Sequence, residues 1–214
     1  MIENYIKLSP GHWFQECLTG EMPDYSSTYS KQRYDTYTTN DIMSKVRFDT
    51  IVSNIGDFDS ICDFGYGNGS FMNYCKQNNK KVYGYDISDY PVPEGTTKIN
   101  DHEINNQFDI MTFFDSIEHL PTKYLEKFLR DLNVKHVCIS VPWFHESLGS
   151  EWFRTWKHRR QNEHLHHFDC NGLMNLLTSS DFKIVSISNN EDQVRKTSSD
   201  YPNILTIVAT KKYA

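Results

Sequence analysis

A glycine-rich turn separates two segments of different character in the first half of the chain. The apolar run Ile-Cys-Asp-Phe at residues 61–64 predicts a short buried strand, and the residues from Ser70 onward have helical spacing. Between them lie Gly65, Gly67 and Gly69, which allow positive φ and a close approach of the backbone to a bound molecule. The unpaired N–H groups of the next helix favour an anionic or polar group. The segment therefore predicts a βα unit with a ligand at its turn.

A second predicted strand ends at an acidic residue. Residues 81–87 are largely apolar, and Asp86 lies near their carboxyl end. A carboxylate at that place can accept hydrogen bonds from both hydroxyls of a ribose. A dinucleotide fingerprint counted from Gly65 would require glycine where the chain has Ser70. The turn and Asp86 together predict a ligand that contains a nucleoside, and the spacing disfavours a dinucleotide.

The motif Asp-x-Gly-x-Gly-x-Gly that begins at Asp63 resembles that of the class I S-adenosylmethionine-dependent methyltransferases. The resemblance implies that Gly65 and Gly67 face the amino-acid end of S-adenosylmethionine. It also implies that Asp63 orients the loop and that Asp86 holds the ribose. Further candidate cofactor contacts come from the loop, from the strand ends and from the helix before residue 61. They are Arg47, Tyr66, Asn68, Gly69, Ile87, Asp101, Phe114 and Asp115.

The rest of the chain alternates apolar runs with helical stretches, which is typical of a layered α/β fold. Strands are predicted at residues 61–64, 81–87, 96–99, 108–114, 136–141, 183–188 and 204–210. Helices are predicted from Asn40 to Ile55, from Ser70 to about Asn78, from Pro121 through Leu132 and from Asn171 to Ser179. The last two follow one another without a helix, which predicts an antiparallel pair. The predicted fold is a Rossmann-like, seven-stranded, mostly parallel sheet with an antiparallel last strand and helices on both faces. The methyltransferase resemblance implies the same reversed strand.

Composition limits the domain count and the class of partner. The 214 residues predict a single domain with a polar, aromatic arm or lid at residues 1–39. A net charge of −6 disfavours bulk binding to nucleic acid or to an anionic membrane. Five cysteines without a CxxC pair suggest free thiols in a reducing compartment. We therefore expect a soluble cytoplasmic monomer or homodimer that acts on a small molecule.

Three chemically active side chains follow the predicted strand at residues 108–114. Asp115, Glu118 and His119 stand close together before Pro121, similar to an arrangement in ubiquinone-biosynthesis O-methyltransferases. That similarity implies that the three are candidate ligands for a divalent cation such as Mg²⁺. No cation is assigned from the sequence, because Asp115 stands where those enzymes carry a longer glutamate. The alternative is that Glu118 and His119 only shape the turn.

Residues 142–169 are predicted to cover the acceptor. This segment holds three of the four tryptophans and five of the nine histidines. Flat apolar surface beside cations suits an aromatic or anionic methyl acceptor. The alternative is a helical hairpin that packs its aromatic rings on the body of the protein. The residues in question are Trp143, Phe144, Trp152, Trp156, Arg154, Lys157, Arg159 and Arg160.

A dense histidine cluster closes the same segment. Many methyltransferases of this type carry Glu-His-x-x-x-Phe before the final helix, matched here by Glu163, His164 and Phe168. The resemblance implies a stretch that helps to close the substrate pocket. We expect a structural role for His164 and no zinc site. Alternation along an extended segment leaves His166 or His167 to face the acceptor.

Methyl transfer from a sulfonium requires mainly alignment and exclusion of water. A hydroxyl acceptor also needs a base, for which His119 is the first candidate and His167 the second. Glu118 is a third candidate catalytic residue. An amine or thiolate acceptor needs none. Two other functions stay open at this point: an NAD-dependent oxidoreductase on a Rossmann sheet, and a methyltransferase-fold binding module without catalysis.

Overall fold

The computed structural model describes residues 3–25, 40–195 and 200–212. Its strands are β1 (Tyr5–Ser9), β2 (His12–Gln15), β3 (Ser60–Phe64), β4 (Lys81–Tyr85), β5 (Thr97–Lys98), β6 (Phe108–Phe114), β7 (Val134–Pro142), β8 (His166–Phe168), β9 (Phe182–Ser188) and β10 (Ile204–Lys211). Its α-helices are α1 (Asn40–Ile55), α2 (Ser70–Gln77), α3 (Leu125–Asp131), α4 (Gly149–Thr155) and α5 (Cys170–Ser179).

Seven strands form the main sheet in the order β5-β4-β3-β6-β7-β10-β9. The first five pair in parallel, whereas β10 runs antiparallel to both β7 and β9. The predicted fold class is confirmed, including the reversed last strand. The carboxyl ends of β3, β4, β6 and β7 consequently lie along one edge of the sheet, where ligands of open α/β sheets bind.

Alternation along β6 divides the core between the two faces of the sheet. Met111 and Phe113 pack in the cluster that contains residues of α3 and α5. Ile110 and Phe114 pack in the cluster that contains residues of α1 and α2. Successive side chains of a strand point to opposite faces, so the apolar run at 108–114 requires helices on both.

The boundaries of three predicted elements differ from the structure. The second predicted strand ends at Tyr85, so Asp86 lies just beyond it. The helix expected from Pro121 begins at Leu125, after a 3₁₀ turn at Ile117–His119. The last helix begins at Cys170, because the Asp169 side chain accepts a hydrogen bond from the Gly172 N–H and caps it.

A second, smaller sheet consists of β1, β2 and β8, all antiparallel. Two of its strands, β1 and β2, lie in the predicted N-terminal arm, where no hydrophobic periodicity predicts a strand. The rest of the predicted arm, residues 26–39, lies outside the described residues. The N-terminal segment is therefore anchored by a hairpin that pairs with the strand after the 142–164 region.

The helices of the described ranges include none that is long and apolar enough to span a bilayer.

Candidate active site

The glycine turn after β3 is held tightly against the next strand end. Gly65 has φ +80°, and its N–H donates to the Tyr85 carbonyl at 2.7 Å. A Cβ on Gly65 would lie 2.5 Å from the Cβ of Ser116, which follows β6. Only glycine fits this position, since both the backbone conformation and the space exclude a side chain. The turn thus leaves bare backbone at the ligand-binding edge.

Asp86 ties the turn to the end of β4. Its Oδ2 accepts a hydrogen bond from the Gly67 N–H at 2.9 Å, and its Oδ1 accepts one from the Ser88 N–H at 2.8 Å. Each carboxylate oxygen can accept a further hydrogen bond. The structure therefore brings Asp86 and the glycine turn together, as the sequence predicts.

The other predicted cofactor residues of this region lie around the same edge. The Tyr66 hydroxyl donates to the Tyr90 carbonyl, and the Asn68 side chain accepts from the Ser70 N–H at 3.1 Å. Ile87 is 69% exposed. Asp101 opens a 3₁₀ turn after β5; burial and the hydrogen bond to Asp101 raise the pKa of Tyr85 to about 12.

Asp63 is buried beneath the turn. Its Oδ1 accepts a hydrogen bond from the Thr112 hydroxyl on β6 at 2.8 Å. Burial raises the pKa of its carboxyl group to about 6, although the bond from Thr112 and the charge of Arg47 oppose the rise. The carboxyl group thus links β3 to β6 directly below the candidate ligand site.

Replacing Asp63 by asparagine is expected to change the pH dependence of stability. Between the ordinary pKa of 3.8 and the folded value of about 6, folded Asp63 keeps a proton that the unfolded chain has released. The free energy of unfolding should therefore fall as pH rises through this window, by up to about 1.4 kcal/mol per pH unit. The Asp63→Asn variant should lack that fall in urea unfolding at a series of pH values. Parallel curves for the two proteins would contradict the burial argument.

Arg47 and Phe114 lie together with Asp115 at the end of β6. The Arg47 guanidinium lies 4.2 Å from the centre of the Phe114 ring and 3.4 Å from Asp115 Oδ2. Its Nε also donates to Glu191 Oε1 at 2.8 Å. Arg195 contacts Asp115 with both terminal nitrogens and Glu191 with Nε. The four charged side chains form one ion-pair network.

Asp115 has unusual geometry within this network. Its φ of +53° is left-handed, a conformation that aspartate tolerates better than most residues. Burial acts to raise the pKa of its carboxyl group, but Arg195 and Arg47 outweigh burial and hold the pKa below its ordinary value. The carboxylate is therefore charged and fixed by two arginines.

Sequence reasoning missed Glu191 and Arg195. They follow β9, which runs parallel to β7, so the turn after β9 returns to the same edge as the turn after β6. The strand-end rule that selected Asp86 and Asp115 also applies to this turn. The rule could have selected Glu191 and Arg195 from the sequence, but only if the order and direction of β7, β10 and β9 had been known.

Glu118, His119 and His164 form a compact group beside the network. Each offers a ligand atom, and the three atoms lie within 4.8 Å of one another. His119 Nδ1 hydrogen-bonds to the Tyr25 hydroxyl at 3.0 Å, and its Nε2 lies 3.9 Å from Glu118 Oε1. The structure therefore joins Glu118 and His119 with His164. The predicted ligand set that included Asp115 is not formed, because two arginines hold that carboxylate.

His166 and His167 are both buried, contrary to the expectation that one of them faces the acceptor. His166 hydrogen-bonds to His12 at 2.9 Å within the small sheet. His167 is 2% exposed and contacts the rings of Tyr5, Phe153 and Trp156. Burial lowers the pKa of His167 to about 3. This packing denies His167 the access that a base for an acceptor needs.

The aromatic rings of the 142–169 segment pack largely on one another. Phe144 and Phe153 are buried, and the rings of Trp152 and Trp156 stack with centroids 5.1 Å apart. The Arg159 guanidinium lies 5.7 Å from the centre of the Tyr5 ring. The alternative of aromatic packing on the body therefore accounts for much of this segment, including its contact with the N-terminal hairpin.

Comparison with known proteins agrees with this geometry. A family model described as a methyltransferase domain matches residues 29–187, which is most of the chain. The chain belongs to the methyltransferase-domain family. The resemblance to class I S-adenosylmethionine-dependent methyltransferases is confirmed, and the protein is an enzyme of that family. The narrower similarity to ubiquinone-biosynthesis O-methyltransferases stays a prediction. A search of curated protein sequences finds no match.

Solved structures share the fold of this methyltransferase at low sequence identity. Magnesium protoporphyrin IX methyltransferase from Synechocystis, with bound S-adenosylhomocysteine, is 18% identical with a TM-score of 0.55, covering 80% of this chain and 83% of its own. The 1,6-didemethyltoxoflavin-N1-methyltransferase of Burkholderia thailandensis is 12% identical with a TM-score of 0.59, covering 97% and 99%. An S-adenosylmethionine-dependent methyltransferase from Clostridium acetobutylicum is 13% identical with a TM-score of 0.57, covering 86% and 96%.

Proposed function

We propose that this protein transfers the methyl group of S-adenosylmethionine to a hydroxyl oxygen of a small molecule. The observation that carries the cofactor part of the proposal is the pairing of the bare glycine turn with Asp86 at the carboxyl ends of β3 and β4. Bound S-adenosylmethionine supplies an electrophilic methyl group. The protein has to align that group with the acceptor and exclude water.

Cofactor binding is assigned to the strand ends. Asp86 accepts hydrogen bonds from the ribose, and Gly65 and Gly67 admit the methionine portion to the backbone. Asp63 supports the turn through Thr112. Arg47 is the candidate partner of the methionine carboxylate, since a guanidinium binds a carboxylate in a bidentate manner. The remaining proposed contacts are Tyr66, Asn68, Gly69, Ile87, Asp101, Phe114 and Asp115.

Arg47 would have to exchange partners to bind the cofactor carboxylate. It now contacts Glu191 and Asp115, and Arg195 contacts the same two acids. If Arg47 turned to an incoming carboxylate, Arg195 would still contact both Asp115 and Glu191. The network therefore supports a binding mode that leaves no acidic side chain without a cation.

The acceptor is assigned to the edge beside Glu118 and His119. Tyr25 reaches this edge from the N-terminal segment by its hydrogen bond to His119. Asn162 of the 142–169 segment accepts a hydrogen bond from Gln15, which links that segment to the N-terminal hairpin. These contacts support a cover formed by both segments. Two of the structural neighbours are named for ring compounds, which favours an aromatic acceptor.

The cofactor class is tested by calorimetric titration of the wild-type protein with S-adenosylhomocysteine and, in parallel, with NADH. We expect binding of S-adenosylhomocysteine alone. Binding of NADH alone would favour the oxidoreductase. Binding of S-adenosylhomocysteine without transfer to any acceptor in a panel of phenols, amines and thiols would favour a binding module.

His119→Ala is expected to separate cofactor binding from transfer. His119 lies at the acceptor edge and contacts Tyr25 and Glu118, while the residues assigned to the cofactor surround Asp86. The variant should bind S-adenosylhomocysteine with unchanged affinity. It should transfer methyl groups at least roughly 10²-fold more slowly than the wild type. His158→Ala, a substitution at a histidine that hydrogen-bonds to Asn203, is the matched control. Unchanged turnover in His119→Ala would remove His119 from the mechanism.

A further inference from the structure

Glu118 carries a buried carboxyl group, and the described part of the chain offers it no hydrogen-bond partner. It is 1% exposed, and neither Oε1 nor Oε2 has a partner among the described residues. A buried carboxylate without a hydrogen-bond partner is costly, commonly by several kcal/mol. Such a group in a folded protein needs an explanation, such as a bound ion.

The surroundings of Glu118 supply the other donors of an ion site. His164 is 4% exposed, and its Nδ1 also has no partner within the described part of the chain. The rings of His119 and His164 are nearly perpendicular, at 84°, with centroids 4.6 Å apart. Two imidazoles and one carboxylate, contributed by two separate segments, therefore converge on one point.

The distances are compatible with a small divalent ion. The three candidate donor atoms lie within 4.8 Å of one another. A tetrahedral ion with bonds of roughly 2.1 Å holds its donors about 3.4 Å apart. Closing this difference requires movements of about an ångström, which side-chain rotations supply.

We propose that Glu118, His119 and His164 bind one divalent transition-metal ion of the zinc type, with an open coordination position toward the acceptor. Imidazole donors favour such ions over Mg²⁺, which prefers oxygen ligands. The donor set differs from the Asp115 set that the sequence suggested, because Asp115 stays with its arginines. It also gives His164 the role of a ligand, where the sequence predicted a structural role and no zinc site. The Tyr25 hydroxyl would orient His119 through Nδ1, and Nε2, which lies 3.9 Å from Glu118 Oε1, would bind the ion rather than take a proton from the acceptor. The placement toward the acceptor rests on the proposed function.

The experiment uses full-length protein treated with a chelator and dialysed. Zn²⁺ and, separately, Mg²⁺ are titrated by calorimetry, and Co²⁺ is added as a spectroscopic probe. We expect one Zn²⁺ per chain, no competing Mg²⁺ binding, and the intense visible bands of four-coordinate Co²⁺. Glu118→Gln and His164→Gln should each weaken Zn²⁺ binding by about 100-fold or more, and His158→Gln should not.

Two further measurements keep the outcome interpretable. Far-ultraviolet circular dichroism checks that each variant is folded, and Tyr25→Phe, which removes only one hydroxyl, should weaken Zn²⁺ binding by roughly tenfold. Titration of the chelated protein with S-adenosylhomocysteine tests cofactor binding without the ion. Absence of stoichiometric Zn²⁺ binding, or equal affinity in Glu118→Gln, would overturn the metal site even where cofactor binding is intact.

Discussion

Asp86→Ala is expected to lose detectable binding of S-adenosylhomocysteine. The substitution removes the carboxylate assigned to the ribose and also the acceptor of the Gly67 N–H. Hydrogen bonds to a charged group contribute roughly 1.5–3 kcal/mol each. Loss of two to the ribose would weaken affinity by at least about 100-fold, and disorder of the turn adds to this. Calorimetric titration measures the effect directly.

Asp89→Ala is the matched control for this prediction. Asp89 has the same chemistry, lies three positions further along the chain and is exposed. It should leave the affinity for S-adenosylhomocysteine unchanged. Asp86→Asn, which keeps the size of the side chain, should fall between the wild type and Asp86→Ala. An affinity within a factor of three of the wild type in Asp86→Ala would refute the assignment of the ribose.

Gly172→Ala is expected to lower the free energy of unfolding more than any other substitution considered for this protein. A Cβ at this position in α5 would lie 2.1 Å from the Gly11 carbonyl oxygen and 2.8 Å from the His12 nitrogen. Both are backbone atoms of the N-terminal hairpin and cannot rotate away. The Gly11 carbonyl is also held by the Asp169 N–H at 2.8 Å. We expect a loss of about 3 kcal/mol in the free energy of unfolding.

The measurement is urea unfolding, together with hydrogen exchange over residues 5–15. Exchange should increase in the hairpin, since the substitution pushes it away from α5. Asn175→Ala, at an exposed position of the same helix, is the control and should be neutral or slightly stabilising. Unchanged stability of Gly172→Ala would mean that hairpin and helix separate without cost.

The sequence predicted those parts of the fold that carry strong local patterns. Residues 108–114 form β6 with the predicted boundaries, because an apolar run buried on both faces has few alternatives. The turn from Gly65 to Gly69 and its contact with Asp86 follow from glycine chemistry and from the strand-end rule. The small sheet was missed, because β8 has three residues and its partner β2 is far away in the chain.

The candidate site was predicted less completely than the fold. Strand-end reasoning selected Asp115, Glu118 and His119, but it could not determine which carboxylate would meet a cation. Arg195, on a turn that is distant in sequence, forms an ion pair with Asp115. His164 lies beside Glu118 and His119. Such a division depends on three-dimensional distances among residues far apart in sequence, and composition or spacing does not encode them in a readable way.

The small sheet has a consequence for the order in which this protein is assembled. His12 and His166 hydrogen-bond across 154 positions of sequence. A ribosome delivers the N-terminal hairpin first and its partner strand after most of the chain, and pairings this distant form slowly. The strands that carry the glycine turn and Asp86 emerge well before β8 and pair without it. During synthesis the half of the sheet that carries the glycine turn can therefore form first, while one edge of β2 stays unpaired until β8 is made.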